Sequence, residues 1–211
     1  VLIQVDTAGE KAERQWLLER HRVTENGIES CSGMERSGLY RVDLVDKDEG
    51  GDRYWVAHND EVAIGSHRDG LSGPAWDGVD LTEVSVAVRD ASDPRIESSN
   101  QRFHVFLPTQ EASGCSLLVN GAFTTDLSRQ HVQVDDSSDN YNAYLVHQAA
   151  ETFVQGLLPH LVDTGGLRYV LRVLDRSEGD AGEVARAALV VFREVHRVRK
   201  RTAQCASKDG D

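Results

Sequence analysis

Alternating apolar and polar residues predict β-strands in the first half of the chain. Residues 39–45 (LYRVDLV) alternate cleanly, and residues 53–57 (RYWVA) follow a solvated turn, so we expect these two segments to form a hairpin. Residues 81–89 (LTEVSVAVR) give the clearest pattern, because every second residue from 84 to 88 is valine. Alternate residues of a strand share one face, so these valines predict a strand with one buried side.

Three stretches between these strands are less regular. Residues 15–23 contain three consecutive apolar residues, so that periodicity alone allows either a strand or a short helix. Residues 25–38 are rich in Gly, Ser and Glu and are expected to form a loop. Residues 58–80 are polar and contain four glycines, which predicts a long loop that is either functional or mobile.

Two further strand patterns follow. The apolar run at 103–107 is expected to end at Pro108, because proline cannot donate a ladder hydrogen bond. After a polar break, residues 116–119 form a second apolar run. The dipeptide Asn120-Gly121 then predicts a turn.

Helical spacing begins after a cluster of Asp, Ser and Asn at 135–140, which can supply N-caps. We expect a helix over 143–161, with Pro159 marking a kink or an early end. A Gly-Gly pair interrupts the pattern before a second long helix, expected at 183–200. The buried face of the first helix is predicted from apolar residues at helical spacing: Val146, Ala149, Ala150, Phe153, Val154, Leu157, Leu158 and Leu161.

Strands first and helices afterwards predict an α+β fold, with a mixed β-sheet packed against two long C-terminal helices. We divide the chain into an N-terminal β-rich segment at 1–60, an α+β domain at 81–204 and a tail at 205–211. The first residue is Val rather than Met, so we expect the chain to be a piece of a larger parent protein.

The composition limits the kinds of molecule that we expect this chain to bind. The formal net charge of −12 and the pI near 5.1 argue against binding to nucleic acid or to an anionic membrane. The three cysteines are far apart, with no CxxC pair, which favours a reducing cytoplasm over a disulfide framework. No apolar stretch approaches the ~18 residues of a membrane-spanning helix, and no signal peptide is visible.

The segment at 125–130 contains the candidate functional residues Ser128 and Arg129. It is polar and rich in capping residues, so we expect it to lead into a short helix through His131 and Gln133. Arg129 follows Ser128, the candidate cap, and therefore lies near a predicted helix N-terminus, where free N–H groups favour anions. The planar guanidinium of an arginine can hold a phosphate with two hydrogen bonds. Gln133 lies one helical turn further on, on the same side.

The run LSRQHVQ at 127–133 resembles the catalytic loop of the middle domain in the ninety-kilodalton heat-shock chaperones, where Leu-Ser-Arg-Glu is followed three residues later by Gln. Upstream, FHVFLPTQ at 103–110, an apolar strand and NGAF at 120–123 are similar to the segment after the ATP-binding domain in sacsin-like proteins and their bacterial relatives. Both groups are GHKL ATPases. The close match covers about a sixth of the chain.

This resemblance implies a transducer (middle) domain that relays the state of ATP in a preceding domain. It implies that Ser128 and Arg129 contact the nucleotide, that Arg129 assists hydrolysis, and that Gln133 orients water or a loop. ATP and magnesium would then belong to the full-length protein, with no cofactor in this chain alone. It also favours a strand at 15–23. Gln130 stands where the chaperones have Glu, so an acid role at that position is unsupported.

Alternative interpretations stay open. The chain could be a non-catalytic interaction module of the same fold, in which Arg129 pairs with Asp126 or Asp135 and is dispensable. An independent hydrolase using a histidine and a carboxylate is the third hypothesis, although GxSxG is missing and the histidines lack metal-ligand spacing. No Asp-x-Gly-x-Gly nucleotide motif is present.

The expected partner is the chain's own N-terminal ATP-binding domain, and a homodimer is the second candidate. We expect the chain to bind neither a membrane nor nucleic acid. The arginine-rich end at 193–201 is expected to be a solvated helix end rather than a nucleic-acid site.

Overall fold

The computed structural model describes residues 16–46, 50–65, 67, 71, 76–92, 101–113, 115–128, 130–132 and 141–174. These residues form an α+β fold, in which the strands come first and a long helical segment follows. The strands are β1 (Trp16–Thr24), β2 (Gly27–Cys31), β3 (Gly38–Asp46), β4 (Gly50–Ala63), β5 (Leu81–Arg89), β6 (Arg102–Val105), β7 (Leu107–Ala112) and β8 (Leu118–Gly121). The helical segment consists of α1 (Tyr141–Thr152), a π-helical turn (Phe153–Leu157) and α2 (Leu158–Val173).

The strands form one sheet in the order β2-β1-β3-β4-β5-β8-β6-β7. Neighbouring strands are antiparallel except β6 and β8, which are parallel, so the predicted mixed sheet is confirmed. Strands from both predicted segments, 1–60 and 81–204, therefore belong to the same sheet. The division into domains stays a prediction. The tail at 205–211 and the second helix expected at 183–200 lie outside the described residues.

Alternation located three of the eight strands, β3, β4 and β5. The strands predicted at 39–45 and 81–89 are confirmed as β3 and β5, and the hairpin of β3 with β4 is confirmed. Residues 15–23 correspond to β1, a strand and not a helix. β4 continues to Ala63, so the first residues of the loop predicted at 58–80 are strand.

The loop predicted at 25–38 is wrong in its first part, because β2 lies within it. β2 forms a hairpin with β1 through a two-residue turn, since Thr24 and Gly27 are paired. Gly27 has φ +126°, a conformation that glycine adopts without steric cost. The β2 side chains are mostly exposed, so no apolar alternation marked this edge strand in the sequence.

The predicted end of a strand at Pro108 is also wrong. β6 ends at Val105, which pairs with Leu107, and Phe106 forms the tip of the β6–β7 hairpin. Pro108 lies inside β7, the last strand in the order, where a missing N–H is tolerated. Phe106 has φ +62°, and an L-residue in this region is destabilised by roughly 1–2 kcal/mol.

The turn predicted at Asn120-Gly121 is a third error, because both residues lie in β8, opposite Ser85 and Val84 of β5. A Cβ atom at Gly121 would lie 3.1 Å from Cγ2 of Val84. Glycine at this position therefore serves close packing between strands and not a change of chain direction.

The hydrophobic core lies between one sheet face and the helical segment. Paired residues on neighbouring strands point to the same face, and here they form an apolar row across the sheet. The row runs through Leu39, Ala57, Val86, Val119 and Phe103. All eight residues of the predicted helix face are buried, so the helix packs as expected.

The helix continues through Pro159 and is longer than predicted. A proline ring clashes with the carbonyl of the residue four positions earlier, and the wider π-helical turn immediately before α2 accommodates it. Gly156 lies in that turn, where an added Cβ would be 3.0 Å from Cβ of Ala57. Gly166 is non-helical (φ +72°, ψ 172°), so the predicted glycine break is present as a kink.

Among the described residues, no helix is both long and apolar enough to cross a membrane.

Replacing Phe153 by Ala should lower the free energy of unfolding by about 3–5 kcal/mol, because the ring is 1 % exposed at the centre of the helix–sheet interface. Chemical denaturation with far-UV circular dichroism measures this change. Gln155→Ala, an exposed residue of the same π-helical turn, is the matched control and should change stability by less than about 0.5 kcal/mol. A loss under about 1 kcal/mol for Phe153→Ala would contradict the burial of this ring.

Candidate functional site

The segment that carries the predicted site is a loop rather than a short helix. Thr125 and Val132 form an antiparallel β-bridge, and Asp126 N donates a hydrogen bond to His131 O at 3.2 Å. We call residues 125–132 the bridge loop. Val132 is buried, so its side chain draws the end of the loop back to the core. The burial of Val132 outweighs the local capping pattern. The prediction of a short helix here is therefore wrong for the described residues.

The Asp126 carboxylate holds the shape of the bridge loop. It accepts hydrogen bonds from Gln130 N (3.0 Å), His131 N (3.4 Å) and the Ser128 hydroxyl (2.7 Å). The hydrogen bond from Ser128 is the largest cause that keeps the pKa of Asp126 below its usual range, and the two backbone amides add to it against the opposing effect of desolvation. Ser128 thus pairs with Asp126 instead of capping a helix.

Two neighbouring elements anchor the bridge loop. Gln110 N, on β7, donates a hydrogen bond to Gln130 O at 2.8 Å. At the base of the loop, the side-chain amide of Asn142 accepts from Thr124 N (2.8 Å) and donates to Thr124 O (2.7 Å). Asn142 is 1 % exposed and lies in the first turn of α1. The loop is therefore tied both to the sheet edge and to the helix.

The structure locates one of the three predicted site residues. Ser128 lies at the exposed tip of the bridge loop, and its neighbours Leu127 and Gln130 are also exposed. Arg129 and Gln133 lie outside the described residues. A short, anchored loop whose tip faces solvent can present a side chain to another domain or molecule without first having to be ordered.

A group of charged side chains that no sequence pattern predicted is centred on Asp43, which is 8 % exposed. Its carboxylate lies 2.6 Å from Arg53 Nε, 2.9 Å from Arg41 Nε and 3.7 Å from His21 Nε2. The Arg41 contact is ionic and lacks the alignment of a hydrogen bond. The hydrogen bond from Arg53 to Asp43 raises the pKa of that arginine. These residues come from alternate positions of adjacent strands, so finding them required the strand register.

This group lines an open cleft of about 730 Å³, but its chemistry does not suit a metal ion. Glu19, His21 and Asp43 offer ligand atoms within 4.8 Å of one another. Each oxygen of Asp43, however, already contacts a guanidinium group, and these positive charges oppose a cation. The arrangement is that of a structural ion-pair network on the sheet.

A second buried polar pair joins β4 and β5. His58 Nδ1 lies 2.8 Å from the Ser85 hydroxyl, and both side chains are buried. His58 Nε2 has no hydrogen-bond partner among the described residues, and Glu83 Oε2 is 4.0 Å away. Burial of the hydroxyl argues against its use as a nucleophile, so this pair gives little support to an independent hydrolase.

The fold and the site define an α+β protein that presents an exposed, anchored loop next to the edge strand of a mixed sheet. No family model, curated protein or solved structure matches this chain.

Ser128→Ala should raise the pKa of Asp126, because the hydroxyl hydrogen bond is the largest cause of its lowering. The folded-state pKa is below the ordinary value of 3.8. Ionised Asp126 therefore stabilises the loop above the unfolded value, and this contribution is lost as the pH falls through the folded-state pKa. Carboxyl carbon NMR titration measures the change. Asp60, which accepts from Ser37 instead, serves as the internal control and should titrate as in the wild type.

Proposed function

We propose that this chain is the transducer domain of a chaperone-like, sacsin-like GHKL ATPase, which relays the nucleotide state of a neighbouring ATP-binding domain. In this proposal Arg129 assists ATP hydrolysis in that domain, and residues 183–200 add the second long helix of the transducer fold. ATP and magnesium belong to the full-length protein, and the widely separated cysteines favour the cytoplasm.

The observation that carries the proposal is the anchored bridge loop. The described residues on either side of position 129 in the sequence, Ser128 and Gln130, are exposed to solvent. Asp126 fixes the loop internally, and β7 and Asn142 hold it from outside. A charged side chain delivered to another domain has to start from a fixed, accessible position, because ordering the loop on contact would weaken the contact.

The chemistry follows from the side chains of the loop. An arginine that meets the γ-phosphate when the domains close can stabilise the charge that develops on the transferring phosphoryl group. The Ser128 hydroxyl is adjacent to Arg129 and can add a hydrogen bond to the nucleotide. Gln133 can position the attacking water through its amide. Bound magnesium would supply the remaining charge neutralisation on the phosphates.

In the full-length parent, Arg129→Ala should lower the ATP turnover rate roughly ten- to a thousandfold, with much less change in ATP affinity. Arg129→Lys should restore activity only in part, since an ammonium group lacks the planar fork. Gln133→Ala should have a milder effect. Single-turnover ATPase assays, with nucleotide binding measured separately, distinguish loss of catalysis from loss of affinity.

The matched control for this experiment is Arg168→Ala, because Arg168 is an exposed arginine on α2, outside the bridge loop. It should leave turnover unchanged. Wild-type turnover in Arg129→Ala would reject the catalytic role and would favour the alternative, a non-catalytic interaction module of the same fold.

The isolated chain should neither bind nor hydrolyse ATP appreciably, because it lacks the Asp-x-Gly-x-Gly pattern of the GHKL nucleotide pocket. Isothermal titration calorimetry with ATP and magnesium tests this expectation. Micromolar affinity in the isolated chain would show that it carries a nucleotide site of its own, and the transducer assignment would be incorrect in this form.

A further inference from the structure

Two arginines line the open cleft that contains Asp43, and each uses only part of its guanidinium group. Arg41 and Arg53 contact the Asp43 carboxylate through Nε, at 2.9 Å and 2.6 Å. Their terminal NH2 groups make no hydrogen bond and no ion pair with the residues that the structure describes. A guanidinium group offers five N–H donors, so most donors of each arginine remain for another acceptor.

Asp43 fixes the positions of both arginines. It is buried on β3, Arg53 lies directly opposite it on β4, and Arg41 lies two residues earlier on β3. Cross-strand partners and residues two positions apart on a strand point to the same face, so the two guanidinium groups are neighbours. An arginine that is already held in place loses less conformational freedom when it binds a ligand. The Asp43 carboxylate therefore holds two planar forks side by side.

The cleft gives a ligand access to these two arginines. Its volume of about 730 Å³ is within the range of small-molecule sites, roughly 300–1,000 Å³. Seven of the ten described residues that line it are charged or polar, so it suits a charged ligand better than an apolar one. The side chains of Arg53 and Arg41 are 49 % and 23 % exposed, so that solvent and small solutes can reach both.

Two of the other acidic groups in the cleft already have partners. Asp52 pairs with Arg89 Nη1 at 3.1 Å. Asp90 accepts hydrogen bonds from Trp55 Nε1 (2.8 Å) and from the amide and hydroxyl of Ser92 (3.0 Å and 2.6 Å). Three arginines thus stand against four carboxylates in and beside the cleft, and their formal charges nearly cancel. An anion would therefore be held by directed hydrogen bonds and not by a strong positive field.

We propose that Arg41 and Arg53 bind the phosphate group of a small phosphorylated molecule in this cleft. A tetrahedral phosphate offers oxygens to both planar forks at once, whereas a carboxylate has oxygens for one. Glu19 is half exposed, lies 3.8 Å from His21 Nε2 and opposes an anion, so we expect a weak site with a dissociation constant of about 1 mM. This site does not depend on the proposed function, and so weak an affinity agrees with the expected absence of appreciable ATP binding.

NMR titration of the chain with inorganic phosphate tests the site, because chemical shifts report weak binding residue by residue. The backbone amide signals of Asp43 and Arg53 should move and saturate, and acetate at the same ionic strength should bind more weakly. Arg41→Gln and Arg53→Gln should each weaken phosphate binding roughly tenfold or more. Arg168→Gln, at an exposed arginine of α2, is the matched control and should bind phosphate as the wild type does.

Arg53→Lys separates the planar fork from the charge. Lysine keeps a positive charge beside the buried Asp43, so that the fold is retained, but it lacks the fork and should bind phosphate more weakly than the wild type. Wild-type affinity in Arg53→Lys would overturn the inference. Phosphate shifts that are absent from the cleft, or that persist in both glutamine variants, would overturn it as well.

A short DNA duplex distinguishes a small phosphorylated molecule from a polyanion. The duplex offers the same phosphate oxygens, but the net charge of −12 on the chain repels it, so it should not compete with phosphate for the cleft. A duplex that binds the cleft more tightly than phosphate would overturn the assignment to a small molecule.

Discussion

The packing of the helical segment onto one sheet face is the constraint from which the other features of this structure follow. The apolar row from Leu39 to Phe103 crosses five strands, and the helical segment contacts β3, β4 and β5. Gly156 and Ala57 allow the closest approach, because a Cβ atom at Gly156 would lie 3.0 Å from that of Ala57. Pro159 destabilises a regular α-helix at this point, and the π-helical turn before it keeps the buried face continuous.

This packing also determines where the bridge loop lies. Asn142 lies on the turn of α1 that enters the core, and its amide holds Thr124 at the base of the loop. A buried amide whose donor and acceptor are both satisfied has one preferred orientation, because each broken hydrogen bond would leave a polar group unpaired. The opposite side of the loop is held by Gln110 of β7. The loop is thus hydrogen-bonded to both the helix and the sheet.

The sequence was sufficient for the features that local periodicity encodes. Alternation located β3, β4 and β5, and all eight residues of the helix face predicted from helical spacing are buried. The sequence patterns failed where pairing between residues far apart in the sequence determines the local structure. β2 has an exposed surface and no apolar signature, Asn120-Gly121 is held in a strand by β5, and the cap-like residues around Ser128 fold back because Val132 is buried. The Asp43 network depends on the register between strands, which one sequence does not specify.

The bridge loop is hydrogen-bonded to its neighbours and exposed at its tip, and the proposed relay between domains would require this combination. A flexible loop would absorb the movement of a partner, whereas a loop fixed by Asn142 and β7 passes a displacement on to α1 and the sheet. Coupling also needs a difference in contact between two states, because a surface bound equally in both transmits nothing. In the proposed function, an arginine that meets a phosphate only on closure would supply that difference in charge.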